Sequence, residues 1–119
     1  EYEQALSVFR KGDFSGAASS FGDFVRRYSQ SPYLSLSLFW LGNAQYATKD
    51  YKSAIASFRQ LINGSPDHPR VPEAMLAIAN CQLEIKEPAA ARKTLGELIK
   101  TYPTTEAASA AKERLSKLK

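Results

Sequence analysis

Little in this chain is equipped for chemistry or for crosslinking. Its 119 residues hold one cysteine, Cys81, and one histidine, His68. A lone thiol excludes an internal disulfide framework, and one thiol with one imidazole falls short of a zinc ligand set. No apolar run approaches the roughly 20 residues that span a bilayer, so direct membrane insertion is not expected. The six glycines are dispersed, and none belongs to a glycine-rich phosphate loop. Carboxylates such as Asp13, Asp50 and Glu87 stand singly at predicted helix starts, not in acid–base pairs. His68, between Asp67 and Pro69, reads as an exposed turn residue. Neither an enzyme nor a cofactor or metal site is expected. The opening Glu1-Tyr2-Glu3-Gln4 is acidic and polar, without signal-peptide character. That does not fix location, because fragments and processed chains also begin this way.

What is present is the composition of a folded domain. Hydrophobic residues make up 44% and charged residues 24%, which excludes a disordered segment. The length suits one domain or one short repeat array. Net charge is +4, but the basic residues are scattered at helical spacing, from Arg10 and Lys11 to Lys112 and Lys117. Such scatter marks solvated helix faces, not a phosphate track, so nucleic acid is not an expected partner.

The strongest feature is internal repetition. Residues 41–66 align with residues 78–103 at an offset of 37. Asn43 falls on Asn80, Gln45 on Gln82, Lys49 on Lys86, Ala54 on Ala91 and Pro66 on Pro103. Applied backward, the offset places Asp13 on Asp50, Phe14 on Tyr51, Ala17 on Ala54 and Phe21 on Phe58. Each copy divides into two stretches with apolar residues at intervals of three and four. Phe14, Ala17, Phe21 and Phe24 form one such face; Tyr51, Ala54, Phe58 and Leu61 form the next. This is helical periodicity. Lys11-Gly12-Asp13 and Thr48-Lys49-Asp50 read as short turns whose aspartates cap the following helix. Pro88 suits a first helical position. The reading is an all-α solenoid of seven helices in one domain over residues 1–119. Its copies are 1–32, 33–69 and 70–103, and a capping helix, 104–119, covers the last apolar face.

Leu41-Gly42-Asn43-Ala44, followed by Tyr51, Ala54, Phe58 and Pro66, resembles the tetratricopeptide repeat, whose unit is about 34 residues. This chain is three residues longer per copy, in loops such as Ser65-Pro66-Asp67-His68-Pro69. Ala5 and Ala79 stand where the second copy has Gly42. Three such copies, the string Phe39-Trp40-Leu41-Gly42 and the closing Ala107-Ala108…Arg114-Leu115 segment resemble one family. It is the C-terminal tetratricopeptide domain of the Tol–Pal-associated YbgF (CpoB) proteins. Outer-membrane assembly lipoproteins of the BamD type carry similar repeats and are the alternative. The first resemblance implies a periplasmic interaction module with TolA and the peptidoglycan synthase PBP1B as partners. It also implies a role in coordinating wall synthesis with outer-membrane constriction, and an N-terminal trimerising coiled coil that this chain lacks.

In such an array the first helix of each pair lines the inner face. The residues predicted to meet a partner there are Tyr2, Leu6, Phe9 and Arg10 in the first copy. In the second they are Phe39, Asn43 and Tyr46, flanked by Leu36 and Ala47. In the third they are Leu76, Asn80 and Leu83, flanked by Glu73 and Glu84. An amide offers both a donor and an acceptor, so Asn43 and Asn80 suit the backbone of an extended peptide. By resemblance to peptide-binding tetratricopeptide domains, that is their implied role. A co-chaperone-like carboxylate clamp would need several groove cations, and only Arg10 is apparent. Phe14, Phe21, Phe24, Tyr51 and Phe58 are expected in the core. Cys81 aligns with Ala44 and is expected as a small buried side chain. Trp40 suits the junction between adjacent copies.

Overall fold

The computed structural model describes residues 1–118. Among them are seven helices and no strand: α1 (Tyr2–Arg10), α2 (Phe14–Arg27), α3 (Leu34–Ala47), α4 (Tyr51–Gly64), α5 (Val71–Glu84), α6 (Pro88–Thr101) and α7 (Glu106–Lys117). The fold is the all-α tetratricopeptide solenoid expected from the repeat. It extends 42 × 27 × 20 Å, as a short stack of hairpins should.

The turns inside the hairpins share one geometry. Gly12, Lys49 and Lys86 all have positive φ, of 86°, 65° and 65°. At each, two backbone bonds close the end of the preceding helix. Lys49 N–H donates to Tyr46 O at 3.0 Å and Asp50 N–H to Gln45 O at 2.8 Å. Lys86 and Glu87 repeat the pattern to Leu83 O and Gln82 O, and Gly12 and Asp13 to Phe9 O and Val8 O. This is the Schellman ending, which needs one residue in the left-handed region. Of the acidic residues expected to cap, Asp13 does so, accepting from Gly16 N–H at 2.9 Å. Asp50 and Glu87 occupy the same place without a side-chain bond. There the preceding turn fixes the entry of the chain, and Pro88, at the start of α6, brings no N–H to be satisfied.

Phe21 and Phe58 are fully buried between the helices of their own hairpins and their neighbours. Burying a side chain of this kind stabilises by about 1.5–3 kcal/mol relative to exposure. Ala17, Ala54 and Ala91, equivalent by the repeat, are also fully buried, which lets paired helices approach closely. A polar bond recurs as well. Ser57 Oγ donates to Gln45 Oε1 at 2.6 Å, and Thr94 Oγ1 donates to Gln82 Oε1 at 2.8 Å. These bonds join the first and second helices of successive hairpins at one register. Cys81 is fully buried, as its alignment with Ala44 implied. α7 packs on α5 and α6 and covers Ala79, Leu95 and Leu98.

Candidate functional site

The contacts between helices define two faces. α1 approaches α3, α3 approaches α5, and α5 approaches α7, whereas the backbones of α2, α4 and α6 stay apart from one another. The first helices therefore form the continuous inner wall, and the second helices fan apart outside it. An outer cleft of about 350 Å³, with Arg59, Ile62, Met75 and Tyr102 in its walls, opens where α4 and α6 separate.

The inner wall is aromatic over its first half. The Tyr2 ring stacks on Tyr33 at 4.8 Å between centroids, with the planes 16° apart. Trp40 Nε1 donates to the Tyr2 hydroxyl at 3.2 Å. The Trp40 ring lies 5.3 Å from Phe9 and 5.4 Å from Phe39. Trp40 thus joins α1 to α3 at the repeat junction, as its position suggested. The Arg70 guanidinium covers this cluster, 5.1 Å from the Phe39 centroid and 5.9 Å from that of Trp40. Its Nη1 also donates to Glu73 Oε1 at 3.1 Å.

The second half of the wall is mixed. The Tyr46 ring meets Tyr51 edge-on at 5.4 Å. The Tyr51 hydroxyl donates to Glu84 Oε1 at 3.4 Å. Burial, and then the charge of Glu84, push both tyrosine hydroxyls above the ordinary tyrosine value. Further along, α5 and the start of α7 enclose a cleft of about 510 Å³.

Of the predicted contact residues, Tyr2, Phe9, Asn43, Tyr46, Leu76, Asn80 and Leu83 are half-buried, and Arg10 is exposed. Leu6 and Phe39 are different. Both are buried in the packing clusters, 8% and 6% exposed, so they support the wall more than they present surface. Leu6 lies where α1, α2 and α3 meet, and Phe39 is sealed by Arg70. Asn43 donates its amide N–H to Phe39 O of its own helix at 2.9 Å, so one of its donors is already used. Asn80 shows no such bond among the described residues. Sequence reasoning missed Tyr33 and Arg70. Both lie in the loops before first helices, outside the helical register used to select the face.

The family model described as "YfiO: Outer membrane lipoprotein" matches residues 1–119. The chain belongs to the YfiO family. The match favours the assembly-lipoprotein branch of the two resemblances drawn from the sequence. The chain is similar to the outer membrane protein assembly factor BamD of Xylella fastidiosa, 28% identical over 71 residues. That stretch is 60% of this chain and 24% of BamD, so it spans about a quarter of the relative's length. Among solved structures, the chain is similar to the Yersinia enterocolitica type III secretion chaperone SycD, in complex with a peptide of the translocator YopD. The TM-score is 0.78 at 20% identity, covering 98% of this chain and 85% of SycD. It is also similar to the TPR2B domain of yeast Sti1 in its pHsp70 complex, with a TM-score of 0.75 at 20% identity, covering 96% and 89%. These two likenesses show the fold. Within the YfiO family, the described residues include no helix long and apolar enough to cross a membrane.

Proposed function

We propose that this chain is a protein-interaction module of the bacterial cell envelope, on the periplasmic side, that holds an extended segment of a partner along its inner wall. The observation that carries the reading is the row of half-buried aromatics, Tyr2, Phe9, Trp40 and Tyr46, on the adjoining first helices. Aromatic side chains supply large contact area at little entropic cost and dominate binding energy at interfaces. Two proteins of the same fold are described in complexes, SycD with a translocator peptide and the Sti1 domain with pHsp70. The family match supports an outer-membrane setting of the assembly-factor kind. The Tol–Pal reading, with TolA and PBP1B as partners, is supported by repeat spacing and loop composition alone.

Trp40 is the only tryptophan, so it reports directly on this wall. Decapeptides selected from a random displayed library against the purified chain should shift its emission on binding. Tyr46→Ala should weaken them at least tenfold, with the far-UV spectrum unchanged. Failure to select any binder would reject the reading. Calorimetric titration with a TolA fragment separates the two family branches: heat that Tyr46→Ala removes favours Tol–Pal.

A further inference from the structure

The cleft between α5 and α7 joins an apolar floor to acidic walls. The floor is made of Pro72, Leu76, Ala107 and Ala110. Two carboxylates, Glu73 and Glu106, stand on its walls, and no lysine or arginine lines it. The chain as a whole is basic, with a net charge of +4, so this is a local reversal of sign. Each carboxylate lies in the first turn of its helix, where the helix dipole favours it. That accounts for an acid at each helix start. It does not account for an apolar trough of about 510 Å³ between them. Because the trough is formed by two first helices, it belongs to the inner wall and continues from Arg70 and Trp40 toward α7.

We propose that this cleft receives a lysine or arginine side chain of the bound partner segment; the inference rests on the inner-wall reading above and specifies its ligand. The aliphatic stem of either residue packs on Leu76 and the alanines, while the charged head reaches the two carboxylates. Hydrogen bonds of a cation to carboxylates are shorter and stronger than neutral ones. Glu106 makes no ion pair among the described residues. Glu73 is shared with Arg70, whose Nη1 reaches both carboxylate oxygens, at 3.1 and 3.4 Å, in an exposed pair; each oxygen keeps a lone pair for another donor. Arg70 itself shows how this wall treats a cation: the guanidinium rests on two aromatic rings with a carboxylate at its edge. A partner segment therefore carries an aromatic or aliphatic residue for the first half of the wall and a basic residue for the second.

The test uses the intact chain and the decapeptides selected above, synthesised free and titrated against Trp40 emission. The expected result is a lysine or arginine at a fixed distance from an apolar residue in the selected sequences. Replacing it with glutamine in the peptide should weaken binding at least tenfold. The double variant Glu73→Gln/Glu106→Gln should weaken the parent peptide by a similar factor and abolish the difference between the two peptides. Ala110→Lys, which places the chain's own ammonium in the cleft, should exclude the peptide while preserving the helical spectrum. Two results would overturn the inference alone: peptides without a positioned basic residue, or basic peptides indifferent to the double variant, each still weakened by Tyr46→Ala. Selection that yields no binder overturns the inner-wall reading and this inference with it.

Discussion

A Cβ at position 42 would lie 2.6 Å from the Phe58 ring, closer than any such contact in a relaxed structure. Gly42→Ala should therefore force the ring or the helix aside and cost about 1–3 kcal/mol. Phe58→Leu in the same chain should recover part of that loss, and a double-mutant cycle on urea melts measures the coupling. Ala5 and Ala79 show that a methyl is tolerated at the equivalent places, and both are almost fully buried. The demand for glycine in the second copy alone was not legible in the repeat, because it depends on where one ring lies. Cys81 was legible: alignment with Ala44 implied a small interior side chain. Burial, and then the charge of Glu84, raise its thiol to about 11 from an ordinary value of 9.0. Between those values the folded chain keeps a proton that the unfolded chain has lost. Stability should accordingly fall as pH rises through that window. Near neutral pH the thiol should react with a disulfide reagent only as fast as the chain opens, which a stopped assay with and without denaturant reads. Asn43 illustrates the limit of residue-level reading. A helical asparagine always has its own i−4 carbonyl within reach, and here the side chain takes it.

At the scale of one element, the hairpin turns carry the clearest energetic consequence. Gly12, Lys49 and Lys86 occupy the same left-handed position, and only the first is the residue type suited to it. Lysine there costs about 1–2 kcal/mol of backbone strain, offset in part by the greater unfolded-state entropy of glycine. Lys49→Gly and Lys86→Gly should each raise the melting temperature by a few degrees in calorimetry, additively, since the two turns share no contacts. Lys49→Pro should do the reverse, because proline cannot take positive φ. Gly96 offers the opposite test. It lies inside α6 with open space where a Cβ would go. Gly96→Ala should therefore stabilise by about 0.5–1 kcal/mol through helix propensity. The existence and length of the helices were readable from apolar periodicity and from Asp13, Pro66 and Pro88. The turn conformation was not, since a lysine carries no signal for the left-handed region; only its alignment with Gly12 hints at it.

For the molecule as a whole, the offset of 37 residues was enough to give the hairpins and their stacking order. It was not enough to give the contents of the inner wall. Tyr33 and Arg70 reach that wall from loops, and loop side chains obey no helical register. Phe39 keeps the register but packs on Phe58 of its own hairpin and is capped by Arg70, so its burial draws on contacts within and across repeats. Stability in such an array is close to a sum of hairpins and nearest-neighbour interfaces. Truncation after Pro103 removes α7 and uncovers Ala79, Leu95 and Leu98. Denaturant unfolding of that shortened chain should begin in the third hairpin, at lower urea than in the intact chain, while the first two hairpins hold. Amide exchange on α5 and α6 should accelerate first.

The contrast between adjoining first helices and separated second helices has a mechanical meaning. Successive hairpins are joined chiefly where each second helix packs on the next first helix, α2 on α3 and α4 on α5, while α1, α3 and α5 only graze one another. Hairpins joined in this way change curvature by rolling on that middle layer, which opens or closes the gaps between second helices and the light inner seam. A segment lying along that seam spans several hinges at once, so its arrival stiffens the stack over its whole length, including parts that it never touches.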